Sequence, residues 1–186
     1  MTKTIVFEYT KRSVKVQAMA AAVAVVAAVV LPYIVHVAGV SLGAGSGLGE
    51  MLLPMHLPIL LVGFLAGPWA GGSAGLLAPL VSFGLTGMPG QAMLPFIVIE
   101  LCIYGLTAGF LSGKSIPVLG KVLLAQMAGR LVRATSLILA VPVLGIAAVP
   151  VSVIWTSISV GMYGLMLQWI LIPMILFWVE KQDGRV

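Results

Sequence analysis

Long apolar runs, separated by short breaks of proline, glycine or charged residues, extend along almost the whole sequence. A helix needs roughly 20 apolar residues to cross a hydrocarbon core about 30 Å thick. Because the runs are continuously apolar and do not alternate, helices are expected and strands are not. The pattern predicts six helices, at residues 14–37, 55–69, 72–85, 92–111, 119–144 and 151–179. The second and third are short, so their boundaries are expected to depend on tilt or kinking.

The composition agrees with this pattern. Of the 186 residues, 61% are hydrophobic and 8% are charged, whereas about a quarter of the residues in soluble domains are charged. The chain is therefore predicted to be an all-α integral membrane protein, with residues 1–186 forming a single transmembrane domain. The single cysteine, Cys102, excludes an intramolecular disulfide and a cysteine-based zinc site.

Basic residues are distributed asymmetrically among the predicted loops. The loops near residues 38–54, 86–91 and 145–150 contain no Lys or Arg. The turn between the second and third helices carries no charge. The loop between the fourth and fifth helices and both termini carry Lys3, Lys11, Arg12, Lys15, Lys114, Lys121, Lys181 and Arg185. Since cytoplasmic segments are enriched in Lys and Arg, both termini are predicted to be cytoplasmic. The net charge of +5 is interpreted as a topology signal, and no nucleic-acid partner is expected.

Three ionisable residues lie inside predicted helices, at depths where an unpaired charge is costly. At a rise of 1.5 Å per residue, Glu100 and Arg133 both fall about 12 Å below the outer face, and Arg130 lies about one turn deeper. Two interpretations remain open, namely an ion pair that joins two helices or a binding cavity that opens to the outside. One carboxylate cannot neutralise two guanidiniums, so such a cavity would suit an anionic or acceptor-rich ligand.

Further polar residues are predicted near the same outer end. Together they form the set of candidate substrate-binding residues: Glu50, His56, Gln91, Glu100, Tyr104, Arg130, Arg133, Trp155 and Ser159. Trp155 suits stacking on a ring, but it also suits an interfacial aromatic belt. His56 is either a ligand contact or a polar residue at a helix start. The glycine-rich segment 43–49 is either a mobile lid or a plain connector.

Enzyme motifs do not fit their surroundings. Residues 108–115 match a permissive phosphate-loop pattern, but they close an apolar helix, whereas a phosphate loop follows a strand and opens a helix. Ser46 lies in a predicted exposed loop, which does not suit an intramembrane serine hydrolase. No catalytic activity, metal or cofactor is therefore expected, and any ATP hydrolysis is expected in another chain.

Four segments together carry a resemblance to a known family. They read LPMHLPILLVGFLAG at 53–67, APLVSFGLTGMP at 78–89, MLPFIVIELCIYG at 93–105 and AGR at 128–130. Their order and spacing resemble the substrate-binding S components of energy-coupling-factor (ECF) transporters, and the likeness covers most of the chain. The resemblance implies capture of a vitamin or similar micronutrient at the outer face of a prokaryotic cell membrane. It also implies delivery to a transmembrane coupling subunit with two cytoplasmic ATPases.

The resemblance extends to partner contacts and to the ligand. It implies that an Ala-x-x-x-Ala pattern in the first helix contacts the coupling subunit; Ala18 with Ala22 matches, and registers that include Ala24 match equally. Low-volume packing is the alternative for these alanines. The resemblance also implies that residues 39–54 form a lid. The expected ligand is base-like, such as a queuosine precursor, a pterin or a pyrimidine, or else a carboxylated vitamin.

Two other functions remain open from the sequence. A self-sufficient secondary transporter or channel is one, although the internal repeats typical of that class are not apparent. A membrane assembly protein, in which the buried charges only join helices, is the other.

Overall fold

The computed structural model describes residues 13–43, 47–144 and 153–182. Within these ranges the chain forms helices and no strand. The helices are α1 (Val14–Ser41), α2 (Gly47–Leu52), α3 (His56–Ala66), α4 (Pro68–Thr86), α5 (Leu94–Ser112), α6 (Val118–Leu144) and α7 (Val153–Gln182). The prediction of an all-helical fold is confirmed, and the six predicted helices correspond to α1 and α3 to α7. The short helix α2 was not predicted.

Four helices of the described part are long and apolar enough to cross a membrane. The qualifying stretches are Val14–Ser41, Leu94–Ser112, Val118–Ala140 and Ser159–Gln182. Helix α3 is apolar but has 11 residues, which corresponds to about 17 Å at 1.5 Å per residue. The coarse prediction of a membrane protein is therefore supported by helix length and composition.

Local signals set several of the helix ends. The Ser13 hydroxyl accepts a hydrogen bond from the Val16 amide and caps α1. Gly67 has φ of +99°, a backbone conformation that favours glycine, and it separates α3 from α4. Pro68 then occupies the start of α4, where its missing amide hydrogen is not needed. Gly87, in the left-handed region, ends α4.

Glycines allow α3, α4 and α5 to pack closely. A methyl group placed on Gly63 would lie 2.6 Å from the Gly105 carbonyl oxygen, and one on Gly75 would meet the backbone at Leu101. One on Gly109 would meet Pro68. The contacts of Gly75 and Gly109 fix α4 and α5 as antiparallel neighbours with backbones in van der Waals contact. Gly105 and Gly109 are therefore points of close backbone contact between α5 and α4.

One face of α1 packs on the bundle and the other is exposed. Ala21, Ala24 and Ala28 are buried, whereas Ala18 and Ala22 are exposed. The Ala24 side chain is covered by the protein's own core, whereas Ala18 and Ala22 lie on the exposed face, and the contact with a coupling subunit stays a prediction. The exposed face carries large apolar side chains such as Met19 and Val23, as expected for a surface in contact with lipid.

Lys121 is buried at the end of the bundle opposite the predicted outer face. Its Nζ donates a 2.7 Å hydrogen bond to the carbonyl oxygen of Ser112, near the C-terminus of α5. The negative end of the α5 dipole favours a cation at this position. The buried carboxylate of Glu180, on α7, interacts electrostatically with the same lysine. Lys121 therefore joins three helices and does not extend from a helix end toward lipid headgroups.

Candidate functional site

The three ionisable residues predicted inside helices form one cluster between α5 and α6. Arg133 Nη1 donates a 2.8 Å hydrogen bond to Glu100 Oε2. Arg130 Nε lies 3.2 Å from the other carboxylate oxygen, Oε1. The two arginines are three positions apart on α6, so they present their guanidiniums to the same stretch of α5. The Glu100 side chain is fully buried beneath them.

His56 and Tyr104 extend the cluster toward α3. His56 Nε2 lies 3.8 Å from Glu100 Oε1, and the imidazole meets the Tyr104 ring edge-on, with centroids 5.3 Å apart. Tyr104 is fully buried, one turn below Glu100, and packs beside Gly129 of α6, where a methyl group would collide with the phenol ring. Gly129 therefore provides the space that holds Tyr104 next to the ion pairs.

Several polar atoms of the cluster are buried and make no hydrogen bond of acceptable geometry with the part of the chain that the structure describes. They are both imidazole nitrogens of His56, Oε1 of Glu100, the hydroxyl of Tyr104, and Nε and Nη2 of Arg130. Native proteins leave few buried polar groups without a hydrogen bond, so this concentration of such groups marks the cluster as a candidate functional site.

A cavity of about 730 Å³ lies against this cluster. Arg130, Arg133 and His56 line it, and most of the other lining side chains are apolar, among them Val29, Leu53 and Met55. Other lining residues come from the last part of α1, the end of α4, the start of α5, Gly49 of α2 and Val160 of α7. Leu85 and Met88, also lining residues, are exposed, so the cavity reaches the surface at this end of the bundle.

The predicted site residues separate into three groups. His56, Glu100, Tyr104, Arg130 and Arg133 come together as predicted. Glu50 lies on α2 and Trp155 on α7, but their side chains fall outside the described residues. Gln91 and Ser159 are exposed and do not line the cavity, although their neighbours Gly90 and Val160 do. The prediction that Gln91 and Ser159 contact the ligand in this cavity is therefore not supported.

A second polar network was missed by the sequence analysis. Gln126 Nε2 donates to Gln168 Oε1 at 3.0 Å, and Trp169 Nε1 donates to Gln126 Oε1 at 2.7 Å. Gln168 Nε2 then donates to the carbonyl oxygen of Leu53 at 3.3 Å. Leu53 has φ of +48° and lines the cavity. The network fixes the backbone between α2 and α3 to the core of α6 and α7. The signal available in the sequence was uncharged polar side chains inside apolar helices.

Gly161 and Gly164 on α7 leave room for Leu53, Arg130 and α2, which lie on this side of the cavity. A methyl group on Gly161 would lie 3.1 Å from Arg130 Nη2 and 3.0 Å from Leu53 Cδ1. One on Gly164 would lie 2.5 Å from the backbone carbonyl group of Leu52, the last residue of α2. Helix α2 therefore rests directly on the α7 backbone, and the Arg130 guanidinium lies beside that contact.

The arrangement has the form of a small-molecule binding site. A deep apolar cavity with a few converging polar groups is the usual form of a ligand site. Among the described lining residues, Tyr33, Ser82 and Thr86 carry hydroxyl groups, and Thr86 Oγ1 donates to the Ser82 carbonyl oxygen at 2.8 Å within α4. No family model, curated protein or solved structure matches this chain.

Proposed function

We infer that this protein is the substrate-capture subunit of an ECF-type importer, embedded in a prokaryotic cell membrane. It binds a vitamin-like or nucleobase-like micronutrient in the cavity above Glu100. It then delivers the molecule to a coupling subunit with two ATPases. The proposal rests on the sequence resemblance together with one structural observation, the buried Glu100–Arg130–Arg133 cluster at the base of a large cavity.

The membrane topology of the proposal has six spans and cytoplasmic termini. Four spans meet the length and hydropathy expected of a transmembrane helix, and α3 and α4 supply the other two. The cavity then opens on the outer side, because it is lined by the end of α4 and the start of α5. The loops that carry no Lys or Arg are on the same side, as the positive-inside rule requires.

Exposed positions allow a direct test of this topology. In a Cys102→Ala background, single cysteines are introduced at Gln91 and at Lys181, both of which are exposed. A membrane-impermeant maleimide applied to intact cells is expected to label position 91 and to label position 181 after permeabilisation. The opposite labelling order would contradict the proposed orientation.

The two alternatives predict different partners. A self-sufficient transporter needs no ATPase, and an assembly protein binds no micronutrient. The affinity-tagged chain is therefore coexpressed with an ECF coupling subunit and its two ATPases and purified in mild detergent. The proposal predicts stoichiometric recovery of all subunits, and ATP-dependent accumulation of a micronutrient by reconstituted vesicles. Uptake by the chain alone would favour the secondary transporter, and recovery of no partner would contradict the ECF assignment.

A further inference from the structure

The charges beneath the cavity do not balance. Glu100 contributes one negative charge, and Arg130 and Arg133 contribute two positive charges, all within helices long enough to cross a membrane. A charge removed from water is costly unless an opposite charge or several hydrogen bonds compensate for it. Among the described residues, no carboxylate lines the cavity. The cluster therefore has a surplus of one positive charge at the base of an apolar space.

The surplus is concentrated at Arg130. Arg133 already donates a 2.8 Å hydrogen bond to Glu100, whereas Arg130 approaches the carboxylate only through Nε, at 3.2 Å and with poor hydrogen-bond geometry. Nη2 of Arg130 is buried and makes no hydrogen bond with the described residues. The Arg130 side chain lines the cavity and is 14% exposed. A guanidinium in this position favours a planar acid group, which can accept two parallel hydrogen bonds.

The rest of the cavity selects for an apolar body. Its walls include Val29, Pro32, Leu53, Met55 and Ile97, and its volume of about 730 Å³ is in the range of sites for vitamin-sized molecules. A positively charged base would meet like charge at Arg130 and Arg133, which disfavours cationic ligands. A small inorganic anion would satisfy the charge and leave the apolar walls uncovered.

We propose that the ligand is an organic acid with an apolar or heteroaromatic body, whose acid group binds Arg130 while the body fills the apolar part of the cavity. This inference rests on the proposed function and narrows its substrate class. Glu100 does not line the cavity, so it acts as a positioning residue. It holds both guanidiniums and leaves one positive charge for the ligand. The site is complementary to a monoanion, because one acid group brings the cluster to neutrality.

Matched pairs of acids and amides test this inference on the purified full-length protein. The probes are phenylacetate with phenylacetamide, indole-3-acetate with indole-3-acetamide, and pterin-6-carboxylate with pterin-6-carboxamide. Apparent Kd values are obtained from the rise of Tm with probe concentration. At least one acid is expected to bind about tenfold or more tightly than its amide, since a hydrogen bond to a charged group contributes about 1.5–3 kcal/mol.

Three variants show which charged residue causes the preference for the acid over its amide. Arg130→Gln is expected to weaken the acid about tenfold and to leave the amide within about twofold. Lys114→Gln removes the same charge from an exposed position far from the cavity and is expected to leave both unchanged. Glu50→Gln removes the carboxylate on α2, beside the lining residue Gly49, and is expected to preserve the preference for the acid.

Several results would overturn the inference. The inference fails if the amides bind as tightly as their acids, or if no acid in the panel raises Tm. Both outcomes are measured on the wild-type protein. An acid preference that persists in Arg130→Gln would place the acid group elsewhere, and one that appears only in Glu50→Gln would assign the balancing charge to Glu50. Recovery of the coupling subunit without an acid preference would overturn this inference and leave the proposed function standing. An acid preference without partner recovery would overturn the proposed function and leave the acid class of the ligand standing.

Discussion

The carboxylate of Glu100 on α5 accepts a 2.8 Å hydrogen bond from the guanidinium of Arg133 on α6, and Glu100 is fully buried. Replacing a buried ion pair by apolar residues of similar volume is often neutral or stabilising, whereas removing one partner leaves a charge uncompensated. The pair is therefore weak evidence for a role in stability, and it agrees with the proposed binding of a charged ligand.

The low net contribution of a buried ion pair to stability predicts that a single substitution costs more stability than a paired one. Glu100→Leu alone is expected to destabilise the protein by about 3–5 kcal/mol, because two guanidiniums remain without a carboxylate. The pair Glu100→Leu with Arg133→Met is expected to recover part of that loss, because only Arg130 then remains without a carboxylate. Thermal unfolding in detergent measures both variants. A double variant that is no more stable than Glu100→Leu would show that the ion pair is needed for folding itself.

The shared depth of Glu100 and Arg133 was predictable because helix geometry converts sequence position into height. The helices were predictable because lipid selects long apolar runs. Other features depend on side-chain directions and hydrogen bonds, which the spacing of apolar residues does not indicate. Gln91 is exposed and lies outside the cavity lining, because the direction of a side chain in a turn is set by the turn backbone. The Gln126–Gln168 pair was missed because uncharged amides in apolar helices carry a weak signal, and α2 was missed because its glycines obscure any period.

Gly129 is predicted to be essential for the cluster. A methyl group there would collide with the Tyr104 ring and lie 2.9 Å from the Glu100 carbonyl oxygen. Gly129→Ala is therefore expected to destabilise the protein by about 1–3 kcal/mol through overpacking. The matched control is Gly84→Ala, where a methyl group meets no atom within 4 Å, and where alanine is expected to stabilise α4 by up to about 1 kcal/mol. Equal Tm values for the two variants would contradict the proposed steric role.

The amide network is predicted to hold α2 against the rest of the protein. Gln168→Leu removes the donor to the Leu53 carbonyl oxygen and leaves Gln126 Nε2 without its acceptor. Leaving a buried donor unsatisfied costs about 1–3 kcal/mol. We expect faster hydrogen exchange in α2 and at Leu53, and unchanged exchange in α4, which serves as the internal reference. Uniform acceleration across all helices would indicate global destabilisation instead.

The two faces of α1 are predicted to respond differently to larger side chains. Ala24→Leu is expected to lower Tm because Ala24 is buried in the core. Ala22→Leu is expected to leave Tm unchanged and to reduce recovery of the coupling subunit, because Ala22 is exposed. Met19→Leu, on the same exposed face and nearly equal in volume, is the control that should preserve recovery. Normal recovery with Ala22→Leu would place the docking surface elsewhere.

The central claim is that the cavity above Glu100 holds a small molecule. The most direct measurement is mass spectrometry of small molecules that remain bound through purification, for the wild-type protein and for a folded Arg130→Gln variant, which lacks the guanidinium proposed to bind the acid group. The account predicts a compound that is enriched on the wild-type protein and absent from the variant. The same set of compounds on both proteins, at the same occupancy, would contradict it.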